Sequence, residues 1–308
     1  MNGRLSHAAV VVWALLGATA GWAADFDKGA EAYQRGDFAA ALREWRPLAE
    51  QGDVDAQNNL AVIYYQGTGV AQDHAEAAKW YRLAAEQGHV DAQVDLGRMY
   101  QLGQGVARDP EEAVKWFRQA AEQDHPVAQV NLGIVYLEGL GVEKDEVEAV
   151  RWFRLAAEQG HLGAQNNLAF AYREGIGVEK DEAEALRWVR RAAEQDAAPA
   201  QYALALAYDR GSVLPQDHLE AAKWYQLAAE QGHSAAHAAL ANLYLDGEGV
   251  AQDIVMAHVH SSIAAKLDPE RLGPKIEPFL RTIEGRMTPA EVSTARDLAR
   301  EWLETQGR

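Results

Sequence analysis

The chain has 308 residues, 48% of them hydrophobic and 24% charged, with a formal charge of −17 and a pI near 5.0. This acidity excludes a phosphate-neutralising nucleic-acid binder and disfavours attraction to anionic lipid. No cysteine is present, which excludes disulfides and a lipid-modified N-terminal cysteine.

Residues 1–23 read as a secretory signal peptide. Arg4 gives a positive start, Ala8 to Ala20 an apolar stretch, and Gly21-Trp22-Ala23 small residues before a cut. Cleavage is expected after Ala23, with Ala20 and Ala24 as alternatives. The apolar stretch is shorter than the ~20 residues a membrane-spanning helix needs. The mature chain is therefore expected free in the periplasm or secreted, as a monomer with no membrane insertion.

Residues 24–52 predict a degenerate helix pair. A helix from Asp25 to Arg35 ends at Gly36, and a second, Phe38 to Glu50, opens after Asp37 and carries Trp45. Terminal repeats are expected to be atypical because one face lacks a neighbour.

From residue 53 the sequence repeats itself. Trp80, Trp116, Trp152, Trp188 and Trp224 recur every 36 residues without insertion, each followed four residues on by Ala-Ala-Glu-Gln. Such a period signals a solenoid. Six repeats follow: 53–88, 89–124, 125–160, 161–196, 197–232 and 233–268. Each predicts two amphipathic helices: helix A, with Ala56, Leu60 and Tyr64, and helix B, with Ala77, Trp80 and Ala84. Glycines such as Gly67 and Gly69 punctuate the loop, except at Gly211-Ser212-Val213-Leu214-Pro215, which predicts an odd loop. Asp73 and its echoes, with Glu76 and its echoes three residues on, read as capping-box-like starts of helix B.

The sixth repeat decays, with His260 in place of a tryptophan. Residues 269–308 predict C-terminal capping helices, interrupted or kinked near Pro274 and Pro278. A final helix opens at Thr288-Pro289-Ala290-Glu291 and folds back over the open end of the stack.

The unit Ala-Gln-x-x-Leu-Gly/Ala-x-x-Tyr-x-x-Gly-x-Gly-Val-x-x-Asp is followed by Ala-x-x-Trp-Tyr/Phe-x-x-Ala-Ala-Glu-Gln-Gly. It closely resembles the Sel1-like repeat, most clearly in Ala56 to Gly88 and Ala164 to Gln195. The resemblance implies an all-α fold: a superhelical solenoid of tetratricopeptide-like helix pairs, acting as an adaptor for protein complexes, in bacteria often at the envelope or in signalling.

Candidate chemistry is sparse. His89, His125, His161 and His233 recur at one repeat position. Stacked helices place equivalent residues roughly 8–10 Å apart, whereas zinc needs ligand atoms at about 2.0–2.1 Å, so turn or cap roles are expected. The Gly-x-Gly loops follow helices and lead into acidic helix starts, which argues against phosphate cradles. No nucleophile motif or acid/base carboxylate pair stands out, and no cofactor, metal site or catalytic residue is expected.

The varying positions of helix A are the candidate partner-binding face. They are Val94, Arg98, Val130, Ile134, Leu137, Phe170, Arg173, Tyr202 and Leu206: an apolar middle flanked by arginines. In helical solenoids one helix set lines a concave binding surface. The expectation is a non-catalytic periplasmic adaptor that binds a protein partner there. Two alternatives are a β-lactam-binding or hydrolysing enzyme, disfavoured by the missing cysteines of that subgroup, and a structural part of a polysaccharide or cell-wall machine.

Overall fold

The computed structural model describes residues 24–307; the expected signal peptide, 1–23, lies outside them. Sixteen helices and no strand are found among the described residues. Two compact units are distinguished, residues 24–92 with 104–107, and residues 93–103 with 108–307.

The first unit opens with α1 (Phe26–Gln34) and α2 (Phe38–Glu50), followed by α3 (Val54–Gln66) and α4 (His74–Glu86). Trp45 is its anchor. Its indole is 3% exposed, sits between Phe26 and Tyr33, and donates to the Phe26 carbonyl at 3.1 Å. It thus fills the slot that Tyr81 fills in the next pair.

α5 (Val90–Leu102) leads into the second unit, where helix A and helix B alternate: α6 (Pro110–Glu122), α7 (Pro126–Glu138), α8 (Glu146–Glu158), α9 (Leu162–Glu174) and α10 (Glu182–Ala193). They continue through α11 (Ala198–Arg210), α12 (His218–Glu230), α13 (Ser234–Asp246) and α14 (Ile254–Leu267). The tail adds α15 (Gly273–Glu284) and α16 (Pro289–Thr305).

The deepest aromatic of helix B is not the tryptophan expected from the repeat. Phe117, Phe153 and Tyr225, each one residue on, are 0–2% exposed, while Trp116 and Trp152 sit at 8–9% and Trp224 is half-buried. The reason is the small residue of helix A. A Cβ on Gly97 would lie 2.7 Å from Phe117 Cε1, so the neighbouring ring occupies the room a side chain would take.

Each helix B starts at an aspartate whose carboxylate accepts from the backbone three residues on, as in Asp145 from Glu148 N at 2.9 Å. The expected reciprocal half is missing. Glu112, Glu148, Glu184 and Glu220 turn forward to Lys115, Arg151, Arg187 and Lys223 instead. An oppositely charged residue one turn on outcompetes the backbone N–H. A complete box forms at Thr288 and Glu291.

The loops close by backbone contact. The second glycine, Gly141, has φ +73°, and a Cβ there would run into the backbone of Pro110 and Glu111 at the start of α6. Gly177 and Gly249 repeat this against the starts of α8 and α12.

Between helices runs a buried amide thread. Gln129, Gln165 and Gln201 are 0–2% exposed. Each donates to a carbonyl at the end of the preceding helix B (Ala121, Ala157 and Ala193, all at 3.3 Å). Each accepts from the glutamine just past the end of the next helix B, Gln159, Gln195 or Gln231, at 2.8–3.0 Å. These carbonyls lie at helix ends, where each also accepts from the backbone N–H three residues on (Asp124, Gly160 and Asp196), so the amide fills their second lone pair and links neighbouring repeats.

In the tail, Pro274 falls in the first turn of α15, and Pro278 lies inside the helix without breaking it. The Pro278 carbonyl also accepts from the Thr282 hydroxyl at 3.0 Å. α16 packs Ala295 and Ala299 against Val259 and Ile263 of α14. Glu284 binds both His258 (2.9 Å) and Arg296 (2.8 Å), tying the three last helices together.

Replacing Gln129 with leucine removes the side-chain hydrogen bonds to the Ala121 carbonyl and from the Gln159 amide at a buried position. It should lower stability to urea by about 2 kcal/mol. Asn166→Leu, at an exposed position of α9, should stay within about 0.5 kcal/mol of wild type.

Candidate functional site

All nine residues of the expected binding face lie in the second unit, but not all reach the surface. Val94 and Val130 are 5% and 9% exposed and belong to the core. Ile134 and Leu137 are half-buried and pack on the cluster formed by Phe153, Leu168 and Trp188. Tyr202 lies between Tyr225 (5.7 Å) and His233, on which it stacks at 4.6 Å. Leu206 is half-buried.

The open part is Phe170, 48% exposed. The Arg173 guanidinium lies 5.3 Å over its ring and holds Glu174 at 2.8 Å. Arg98 is exposed and pairs with Asp95 at 3.7 Å. Phe170 and Arg173 line a cavity of about 500 Å³ with Asn166, Leu186, Val189 and Val213.

On helix B a second row of arginines serves packing. Arg118, Arg154 and Arg190 donate to the hydroxyls of Tyr136, Tyr172 and Tyr208 at 2.6–2.9 Å.

The recurring histidines are caps. His125, His161 and His233 each accept on Nδ1 from the backbone N–H three residues on, at 3.3 Å. His89 does the same for Ala92 at 3.2 Å. Asp53 takes this role in the first repeat, and Ala197 leaves α11 without a side-chain cap.

Sequence reasoning missed a buried histidine pair. His237 stands where other repeats carry the thread glutamine, and its Nε2 lies 3.0 Å from the Ala229 carbonyl. A carbonyl only accepts, so Nε2 carries the hydrogen and Nδ1 is bare. That Nδ1 lies 2.9 Å from His260 Nδ1, which therefore donates, leaving His260 Nε2 as a buried lone pair without a partner. Trp302 of α16 packs edge-on against His237 at 4.8 Å, and Tyr244 stacks on His260 at 5.5 Å. Burial lowers His237 to about 3, helped by the His260 charge, and burial alone lowers His260 to about 4. The signal was His237 at the glutamine position and His260 at the tryptophan position, but only the fold joins them.

Among known proteins, the chain matches the family described as Sel1 repeat over residues 54–89, 90–125, 126–161, 163–196, 198–233 and 234–269. It is similar to the crystal structure of a Sel1 repeat protein from Oxalobacter formigenes. The two are 34% identical over 77% of this chain and 94% of that one, with a TM-score of 0.61. It is also similar to c5321, a protective antigen present in uropathogenic Escherichia coli strains that displays an SLR fold. That protein is 27% identical over 91% of this chain and 83% of its own, with a TM-score of 0.50. A comparison with curated proteins gives no match.

The pH dependence of stability follows from the histidine pair. Both folded values lie below the ordinary 6.5, so the unfolded chain takes up these protons first. Their contribution is complete above pH 6.5 and is lost as pH falls toward 4, by about 1.4 kcal/mol per pH unit for each histidine. His237→Gln restores the amide used elsewhere in the thread. It should roughly halve the loss of stability between pH 6 and 4.5 measured by urea denaturation; an unchanged slope would contradict the assignment.

Proposed function

Because this chain belongs to the Sel1 repeat family, we propose that it is an exported adaptor which holds a segment of a partner protein on the helix A face of its second unit. Repeats of this family build protein-interaction scaffolds, generally without catalysis. We extend both properties to this chain. Export and an envelope partner rest on residues 1–23, whose charged, apolar and small-residue order fits a cleavable signal.

One observation carries the placement. Phe170 keeps nearly half its surface exposed in the middle of a stack whose other large aromatics are buried or half-buried. Leaving an aromatic ring open costs burial energy that the fold could otherwise use, and exposed apolar groups of this kind mark partner sites. Arg173 keeps the ring under a cation, a pairing that aromatic and arginine hot spots in interfaces share. The half-buried Ile134, Leu137, Tyr202 and Leu206 extend the apolar face to the neighbouring repeats.

Two measurements test this. Protein recovered from the periplasmic fraction should begin at residue 24, and an intact N-terminus would contradict export by cleavage. Cross-linked pull-downs from envelope extract should capture a defined protein with wild type. Phe170→Asp combined with Arg173→Glu, both at exposed positions, should weaken that capture about tenfold or more with helicity unchanged. Equal capture by a folded variant would move the contact off this face.

A further inference from the structure

Repeats four and five depart from the pattern at three places, which line two adjoining cavities that meet at Val213. Position 189 is Val189 where repeats one, two, three and five carry Tyr81, Phe117, Phe153 and Tyr225, and the decayed sixth carries Ser261. Position 191 is Arg191 where they carry Leu83, Gln119, Leu155 and Leu227. Position 213 is Val213 where the loops carry Gly69, Gly105, Gly141, Gly177 and Gly249.

Each departure has a physical effect. Val189 is too small to fill the slot of an aromatic ring. Val213 does not adopt the left-handed backbone of the loop glycines, and at Gly141, Gly177 and Gly249 a Cβ would run into the start of the preceding helix B. The loop at Val213 therefore lacks the glycine contact by which the loop at Gly141 meets α6. Two cavities lie at this junction, sharing Leu186 and Val213 as a common wall. One, of about 500 Å³, contains Phe170, Val189 and Ala169; the other, of about 550 Å³, contains Trp188, Arg187, Arg190, Arg191 and Leu214.

The arginines supply the charge signal. Arg187 is held by Glu184 at 2.7 Å and Arg190 by Tyr208 at 2.9 Å. Arg191 lies 4.6 Å over the Trp188 ring, and no carboxylate stands within ion-pair reach of it among the described residues. Stacking fixes the guanidinium plane and leaves its edge donors open, the geometry that takes a carboxylate in a paired hydrogen bond. Glu184 and Glu194 in the same lining disfavour a doubly charged phosphate and favour a single carboxylate.

We propose that this cleft is a docking site for an acidic segment of a partner protein, with an apolar side chain entering beside Phe170 and Val189 and a neighbouring carboxylate pairing with Arg191. This rests on the scaffold reading above and names the chemistry of its partner. It also explains why an aromatic and the facing loop glycine are given up together at this junction: filled, the cleft would be ordinary repeat packing.

The probe is a phage-displayed library of random linear peptides panned against the mature protein, with the best peptides resynthesised for calorimetry. Wild type should enrich sequences with an aromatic or aliphatic residue close to Asp or Glu. Arg191→Leu, the residue of repeats one, three and five, should weaken these peptides about tenfold or more. Val189→Tyr with Val213→Gly restores the pattern of Tyr81 and Gly69; it should abolish binding while the thermal midpoint holds or rises. Enriched peptides that bind all variants equally would overturn the cleft and leave the scaffold reading intact. Basic or charge-free consensus peptides would overturn it as well. Absence of any enriched peptide, together with an empty pull-down, would overturn both.

Discussion

The repeat stack depends on backbone touching backbone. At Gly141, Gly177 and Gly249 the loop after helix A meets the first turn of the preceding helix B with no room for a Cβ. This contact fixes the loop, and the loop presents the aspartate that caps the following helix B. That register in turn places the thread glutamines under the carbonyl ends they satisfy. A chain built this way tolerates no insertion, which is why the tryptophans keep a strict 36-residue spacing. It also means that a side chain at one second-glycine position opens the packing locally, as Val213 does. Because stability in a repeat array is a sum over neighbours, such an opening need not unfold the rest.

The two ends are closed by different means. At the first unit's start, Trp45 replaces the repeat aromatic and gathers Phe26 and Tyr33 around it. At the other end, His237 and His260 take over the thread and tryptophan positions, and α16 covers them with Trp302. Both solutions bury polar atoms at a stack end. The second leaves one imidazole nitrogen unsatisfied, which makes the C-terminal cover acid-sensitive.

Much of this was legible in the sequence. The period gave the helix pairs, Asp109 and its echoes gave the caps, and the recurring histidines gave turn roles, because each depends on neighbours close along the chain. What lay hidden depends on contacts between helices. Trp80 and Tyr81 are adjacent and both aromatic, and only the small residue on the facing helix decides which goes deeper. Val94 and Val130 vary between repeats, as surface positions do, yet pack inward. The Asp-x-x-Glu spacing matched a capping box, but the lysine or arginine one turn on redirected the glutamate. Val213 was visible as an irregular loop; that it meets Val189 on one side and Arg191 on the other, in two adjoining cavities, was not, since 22 residues separate Arg191 from Val213.

Hydrogen exchange resolved by residue tests this packing most directly, because local opening reports how well each junction is closed. If Val213 holds the loop off α10, amides of 183–186 and 211–216 exchange at least about tenfold faster than their counterparts at 111–114 and 139–144, a difference of about 1.4 kcal/mol in opening free energy. Equal protection at both junctions would mean that the loop closes despite Val213, and the cleft at repeats four and five would lose its physical basis.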